Sequence, residues 1–130
     1  MNAPSVDLKD HLEDAGLGLV FGTNLFVGEE PASPDNCVTI FDTPGFGRQT
    51  TMQRGEEYHR PSVQVRSRNN DYRAGYSALA DIVDELHALG HREINGTTYE
   101  VIMCVTEPAP LGKDENGRHW WIANFDIQRH

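Results

Sequence analysis

The stretch PSVQVRSRNNDYRAGYSALADIVDELHAL, residues 61–89, contains the two elements around which the rest of the chain is arranged. Val63 and Val65 alternate with polar side chains, which is the period of a half-buried strand. The pattern breaks at residues 69–71, Asn-Asn-Asp, where a side-chain oxygen can cap the first turn of a helix. Gly90 is the expected left-handed stop of that helix. Its apolar stripe has spacings of three and four: Tyr72, Tyr76, Leu79, Ile82, Val83, Leu86 and Leu89.

The rest of the chain predicts a second helix and several strands. These are a helix opened by Pro4 and Ser5 and ended by Gly16, extended chain over 17–31, and strands at 37–42, 92–94, 98–106 and 119–128. Asn95-Gly96 is a strong hairpin signal, because both residues tolerate the positive φ of a tight turn. We therefore predict an α+β fold, a mostly antiparallel sheet with both helices packed on one face, in one domain over residues 1–130.

Two polar stretches without periodicity are predicted to be long, mobile loops. Residues 43–60 contain three glycines and mixed charge, and residues 108–118 contain Asn116-Gly117 as a tight turn. Structureless loops of this length inside a domain are mostly functional or mobile. We interpret residues 43–60 as an arm that orders against a partner, with a loop that has no role as the alternative.

Composition and charge exclude several classes of function. A formal net charge of −9 leaves no basic face with which to grip nucleic-acid phosphates. No apolar run approaches the roughly 20 residues of a membrane span, and the acidic start of the chain does not predict a secretion signal. Cys37 and Cys104 lie in apolar strand patterns, so we expect reduced core residues in a cytosolic protein.

No catalytic, metal or cofactor motif is complete. In FDTPGFG, residues 41–47, Asp42 and Gly45 stand as in a GTPase, but no glycine-rich loop ending in Gly-Lys-Ser/Thr accompanies them. His87 and His91 are four apart, yet Gly90 lies between them and the glutamate of a zinc-protease helix is missing. We therefore predict no enzyme, no metal and no cofactor. A small nucleotide-binding module using Asp42-Thr43-Pro44-Gly45 is the alternative, and a plain turn is the simpler interpretation.

Two strands have apolar side chains on both faces. The last strand places Trp121 and Phe125 on one face and Trp120 and Ile122 on the other. Such strands need either a second covering layer or a subunit interface, and few helical residues are left for a cover. We therefore favour an interface. Strand 99–105 has Tyr99, Val101, Met103 and Val105 on one face and Ile102 and Cys104 on the other.

Three segments follow the N-terminal helix in order: LFVGEEPASPDNCVTIFDTPGF (25–46), RPSVQVRSRNNDYRAGYSALADIVDEL (60–86) and GKDENGRHWWIANFDI (112–127). As an ordered set they resemble the minor capsid and tail terminator proteins of long-tailed, siphophage-type bacteriophages. The most telling pieces are residues 61–68 with Asp71-Tyr72, and residues 112–118 followed by Asn124-Phe125. None of them is a catalytic signature.

The resemblance implies a function without chemistry. Proteins similar to these form a ring, usually of six copies, on the head-proximal end of the tail tube, where they stop tube growth and join tail to head. The implied partners are other copies of the chain, the tail tube protein and the head connector or head-closure protein. DNA would pass through the bore without specific binding, and no membrane or cofactor is involved. We expect assembly in the host bacterial cytoplasm and a final place at the head–tail junction of the virion. Another head–tail joining or completion protein is the nearer alternative.

A ring of identical subunits needs two different contact patches on each copy. We place one on the Trp120/Ile122 face and the other on the arginine-bearing strand or the 43–60 stretch. The predicted interface residues are Gln64, Arg66, Arg68, Trp120, Ile122, Phe46, Arg48 and Arg54. The arginines of the strand either pair with carboxylates of a neighbouring copy or are ordinary exposed strand residues.

Overall fold

A computed structural model describes residues 1–50 and 57–130 as two helices and one six-stranded sheet. The helices are α1 (Pro4–Asp14) and α2 (Tyr72–Leu86). The strands are β1 (Leu25–Val27), β2 (Cys37–Thr50), β3 (Glu57–Asn69), β4 (Leu89–Ile94), β5 (Thr97–Lys113) and β6 (His119–Arg129). Their order in the sheet is β1-β2-β3-β6-β5-β4, and neighbours are antiparallel except for the parallel pair β1 and β2. The predicted α+β class with a mostly antiparallel sheet is confirmed.

Both helices pack on the same face of the sheet, as predicted. Leu12 of α1 and Leu79 of α2 belong to one buried cluster with Val65 of β3 and Phe125 of β6. Along β6 the side chains alternate between buried and half-buried, so the residues predicted to face the core do so. The buried side chains of β6 are Trp121, Ala123, Phe125, Ile127 and Arg129.

The start of α2 follows the prediction, but its end does not. Asp71 caps the helix, since its carboxylate accepts a bond from the Ala74 N–H at 3.3 Å. The chain leaves the helix at residue 87, and the positive φ of 60° falls on Ala88 rather than on a glycine. Gly90 lies inside β4, where an added Cβ would stand 3.1 Å from the Glu100 carbonyl oxygen. The predicted stop at Gly90 is therefore wrong: this glycine permits a close approach between two strands.

The described parts of the two predicted long loops are mostly strand, and residues 51–56 of the first lie outside the described residues. β2 continues to Thr50, β3 begins at Glu57, and β5 continues to Lys113, which leaves 114–118 as the turn before β6. Register shifts interrupt β2 near Phe46 and β5 at four places. These irregularities break the two-residue period from which a strand is recognised, so the sequence pattern concealed both extensions. The extended chain predicted over 17–31 contains only the three strand residues of β1.

The two predicted tight turns are present. Asn95 and Gly96 have φ of 50° and 79° and join β4 to β5, as a two-residue hairpin turn requires. Gly117 has a φ of 79° in the turn before β6, and its N–H donates to the Asp114 carbonyl oxygen at 3.1 Å. Glycine or asparagine at these positions adopts the left-handed backbone at low cost.

A buried polar network fastens α1 to the sheet. Asp7 is fully buried and accepts bonds from the Tyr99 hydroxyl at 2.5 Å and the Asn95 side-chain amide at 2.9 Å. The Arg129 guanidinium lies 3.6 Å from the same carboxylate. The predicted placement of Tyr99 on the same face as Val101 is wrong, because a register shift between the two residues turns Tyr99 toward the helices. This shift allows the Tyr99 hydroxyl to reach Asp7.

The α1 helix also depends on a strand residue at its N-terminus. The Asp42 carboxylate accepts the Ser5 backbone N–H at 3.0 Å and the Ser5 hydroxyl at 2.6 Å. A carboxylate there satisfies a free helix N–H and compensates the positive end of the helix dipole. The residue that resembled a GTPase aspartate therefore serves as a helix cap. The plain turn offered as the simpler interpretation of residues 41–47 is wrong, because β2 continues through them.

Replacing Tyr99 is expected to change how stability depends on pH. The pKa of the Tyr99 hydroxyl is raised above its ordinary value, mainly because the hydroxyl is buried and secondly because it donates a hydrogen bond to Asp7. The neutral hydroxyl therefore stabilises the fold below pH about 10, and this contribution is lost as pH rises further toward the folded-state pKa. Tyr99→Phe should lower the free energy of unfolding at pH 7 by about 1–3 kcal/mol, because Asp7 loses a donor. It should also weaken the decline above pH about 10.

Urea unfolding from pH 7 to 11 measures both effects, with the exposed Tyr72→Phe as the matched control. An unchanged alkaline slope in Tyr99→Phe would contradict the role assigned to this hydroxyl.

Asp42→Ala is expected to lower the free energy of unfolding by about 1–2 kcal/mol, because the first turn of α1 loses its cap. The exposed Asp81→Ala is the control, and we expect it to change stability by less than about 0.5 kcal/mol. Calorimetry with GTP and magnesium is expected to give no binding heat for wild type. Tight nucleotide binding that Asp42→Ala abolishes would reverse the assignment.

Candidate subunit interface on the open sheet face

The sheet face opposite the helices, called here the open face, carries four of the eight predicted interface residues. In the described residues both helices join the core on the other face. Pairing in register aligns Gln64 with Asn124 and Arg66 with Ile122, so β3 and β6 contribute to one continuous surface. The open face consists of Phe41, Ser62, Gln64, Arg66, Val101, Met103, Trp120, Ile122, Asn124 and Asp126.

Polar side chains on the open face are paired along its centre. The Ser62 hydroxyl donates to Asp126 at 2.7 Å, and the Gln64 amide donates to Asn124 at 3.1 Å. These cross-strand bonds hold the polar side chains flat against the sheet. The centre of the open face is thus ordered without any helix above it.

Arg66 is held in place but has no carboxylate. Its Nε donates to the Gln64 side-chain oxygen at 2.8 Å, and its guanidinium lies 4.9 Å from the Phe41 ring centroid and 5.7 Å from that of Trp120. Among residues 1–50 and 57–130, no Asp or Glu oxygen lies within 4.0 Å of it. A guanidinium pre-oriented by stacking loses little entropy when it forms a bidentate contact with a carboxylate.

Arg68, by contrast, is used inside the chain. It is 3% exposed, lies 3.3 Å from a Glu30 carboxylate oxygen, and donates to the carbonyl oxygens of Pro31 and Pro34 at 2.6 and 2.7 Å. Arg118 donates to the Ala32 carbonyl oxygen at 2.6 Å in the same connection. These bonds fold the chain between β1 and β2 over one end of the open face. Arg68 is thereby removed from the free part of that face.

The rest of the open face is apolar and uncovered. Met103 is 40% exposed, and Trp120 and Ile122 are half-buried. A depression of about 280 Å³ beside Trp120 includes Leu111, itself 50% exposed. The Trp120 indole N–H has no hydrogen-bond partner among the described residues. A contiguous apolar surface rimmed by polar groups is typical of an interaction site.

Two further predicted interface residues, Phe46 and Arg48, lie on β2 outside the open face. Phe46 is 61% exposed and is stacked by the Arg60 guanidinium at 5.5 Å. Arg48 lies 3.7 Å from Glu57 in an exposed pair. Arg54 lies outside the described residues. The structure thus brings Gln64, Arg66, Trp120 and Ile122 together, while Phe46 and Arg48 form a separate exposed group.

The sequence alone does not indicate Phe41, Asn124 or Asp126 as members of this site. Alternation along the last strand predicts Asn124 and Asp126 on the face of Trp120, where they lie, but nothing in their spacing shows that they accept bonds from side chains of β3. Phe41 follows Ile40 in an apolar run, so no alternation reveals its face. Only the pairing of β2 with β3 places its ring beside Arg66.

The histidines and cysteines do not assemble a site in the described residues. His87 accepts the Cys104 N–H at 3.0 Å, whereas His91 lies 3.2 Å from Glu100 on β5. No group of three or more His, Cys, Asp or Glu side chains with metal-binding geometry occurs within the described ranges. Burial raises the pKa of both the Cys37 and the Cys104 thiols, which disfavours the reactive thiolate.

The two neighbouring arginines are expected to respond differently to truncation. Arg68→Ala leaves Glu30 buried without its partner and frees three carbonyl oxygens, so the free energy of unfolding should fall by about 3–5 kcal/mol. Arg66→Ala removes the ring stacking and the half-buried hydrogen bond to Gln64, and should cost about 1–2 kcal/mol. Thermal and urea unfolding of the two variants measure this contrast. Equal losses would contradict the division between a structural and a surface arginine.

None of the described helices has the length and apolar character needed to cross a bilayer.

The sequence finds no match among curated proteins. Among solved structures, a chain from the virion of a native gene transfer agent particle superimposes with a TM-score of 0.69 at 11% identity, covering 98% of this chain and 94% of that one. A second solved structure, without a descriptive name, has a TM-score of 0.55 at 12% identity, with 95% and 89% covered. At these identities the likeness concerns the fold.

Residues 11–130 match the family model described as bacteriophage tail terminator protein. The match includes α2, the whole sheet and every residue of the open face. The chain is therefore a member of the bacteriophage tail terminator family, a virion-associated structural protein of the phage tail.

Proposed function

We propose that this protein forms a ring, of six copies by family resemblance, on the head-proximal end of the tail tube. The ring ends tube growth by covering the surface to which the next tube subunit would add. It also presents a surface to the head-closure protein. The observation that carries the proposal is the open face, an ordered and partly apolar surface left uncovered by the helices.

A ring of this kind is supported by the way the open face is built. Specific interfaces have an apolar centre in which tryptophan and arginine are enriched. Trp120 and Arg66 lie side by side in the apolar part of the open face, and the polar bonds of Gln64 and Ser62 lie beside them. No chemical step is needed for this function, because fitting copies together is sufficient to block further addition.

The charge of the chain suits a protein that surrounds the path of the genome. With a formal net charge of −9, the subunit repels DNA phosphates at moderate ionic strength. DNA would then pass through the bore without being held. The proposal therefore includes no specific nucleic-acid binding.

Trp120→Asp is expected to abolish ring formation, because it introduces an unpaired charge at the centre of the apolar surface. Sedimentation across a rising concentration series, alone and with assembled tail tubes, measures ring formation and the capping of tube ends. Val20→Asp is the matched control, since Val20 is 52% exposed and lies outside the open face. Urea unfolding of both variants separates a loss of assembly from a loss of folding.

Phage carrying a deletion of this gene should make tails of uncontrolled length that do not join heads. Normal-length tails with attached heads in the deletion mutant would overturn the proposed function. So would a wild-type protein that neither self-associates nor binds tube ends.

A further inference from the structure

A ring requires two different patches, and the open face supplies only one of them. The sequence had separated the Trp120/Ile122 face from the arginine-bearing strand. Register shows that Gln64, Arg66 and Ile122 lie side by side on the same surface. A head-to-tail contact therefore needs a second patch elsewhere on the subunit.

The outer side of α2 has the properties that the open face lacks. Asp81 and Asp84 are exposed and three residues apart, so they project from the same side of the helix. Neither carboxylate has an ion-pair partner in the described part of the chain. The next acid along, Glu85, is already engaged by the His11 ring at 2.8 Å. The outer side of α2 thus presents two unpaired negative charges.

Nearer its N-terminus, the same helix carries an aromatic surface. Tyr72 and Tyr76 are 47% and 46% exposed, although sequence periodicity placed them on the buried stripe. Their rings pack against Trp121 at centroid distances of 4.7 and 5.1 Å. A depression of about 430 Å³ lies over them and is lined by the two tyrosines and Trp121 together with Arg73 and Ser77. It offers apolar surface to a partner that itself has a half-buried tryptophan and isoleucine.

We propose that the open face of one copy docks on the outer side of α2 in the next copy, with Arg66 receiving the carboxylates of Asp81 and Asp84. This inference rests on the proposed ring and assigns its two patches. The two surfaces complement each other in charge and in surface type. Arg66, which has no carboxylate partner, would pair with Asp81 and Asp84, which have no cationic partner. The apolar surface of Trp120 and Ile122 would pack on the aromatic surface of Tyr72 and Tyr76.

Other occupants fit the open face less well. Nucleic acid would meet a single free guanidinium on a chain with a net charge of −9. The stretch 43–60 of a neighbouring copy has three arginines and two glutamates, so it offers no excess of negative charge to pair with Arg66. A second copy supplies both the acid and the aromatic surface.

Charge reversal on each side tests the pairing. Arg66→Glu alone, and Asp81→Lys/Asp84→Lys alone, should each raise the concentration needed for ring formation at least about 30-fold, as expected for loss of a central interface contact. An equimolar mixture of the two variants should assemble again, because copies that alternate around the ring place opposite charges together at every interface. Misfolding of either variant cannot produce such restoration.

Arg92→Glu and Asp14→Lys/Glu93→Lys are the matched controls, since they make the same changes of net charge at exposed residues that belong to neither patch. All three line the depression that contains Glu85, so they also test whether any charge change near this end of α2 is sufficient. They should assemble like wild type. If wild type forms rings and the Arg66→Glu variant does so at the same concentration, the pairing is wrong while the proposed function stands. The pairing is also wrong if the mixture fails to assemble. If wild type forms no ring alone or on tube ends, the proposed function itself fails.

Discussion

The structure depends on a mismatch between the size of the sheet and the amount of helix available to cover it. Two helices of 11 and 15 residues pack on one face of six strands. A sheet face can be exposed only if its side chains are polar or find a partner. One part of the open face is polar, with cross-strand bonds at Ser62 and Gln64. The other part, around Trp120, is apolar and is the part that needs a partner.

Placing both helices on one side requires specific polar contacts as well as apolar burial. Asp7 connects α1 to Tyr99 and Asn95 across more than 80 residues of chain, and Asp42 caps the start of the same helix. A buried carboxylate is costly unless it is fully bonded, so such a network disfavours other positions for the helix. The result is a rigid support behind the open face.

The edges of the sheet are poor sites for association, which leaves the faces as contact surfaces. β1 pairs with β2 only as far as Ile40, and β4 pairs with β5 only as far as Ile102. Beyond those points the outer strands carry Pro44, Pro108 and Pro110 together with register shifts. Proline and bulges at an exposed edge disfavour the addition of another strand. In the proposed ring, neighbouring copies would therefore meet through side chains.

The sequence by itself was sufficient to predict the class of fold, the family and several local structures. The Asp71 cap, the Asn95-Gly96 hairpin and the two faces of β6 were all readable, because each depends on residues close together in the chain. Only the tertiary structure decided what depends on distant pairing. Bulges turned Tyr99 toward the core and hid the strand extensions at 43–50 and 108–113. Arg66 and Arg68 share a type and a face in the sequence. Arg68 is buried against Glu30, whereas Arg66 lies between the rings of Phe41 and Trp120 without a carboxylate partner in the described residues. The difference arises because the connection between β1 and β2 folds over the end of the sheet where Arg68 lies and does not reach Arg66.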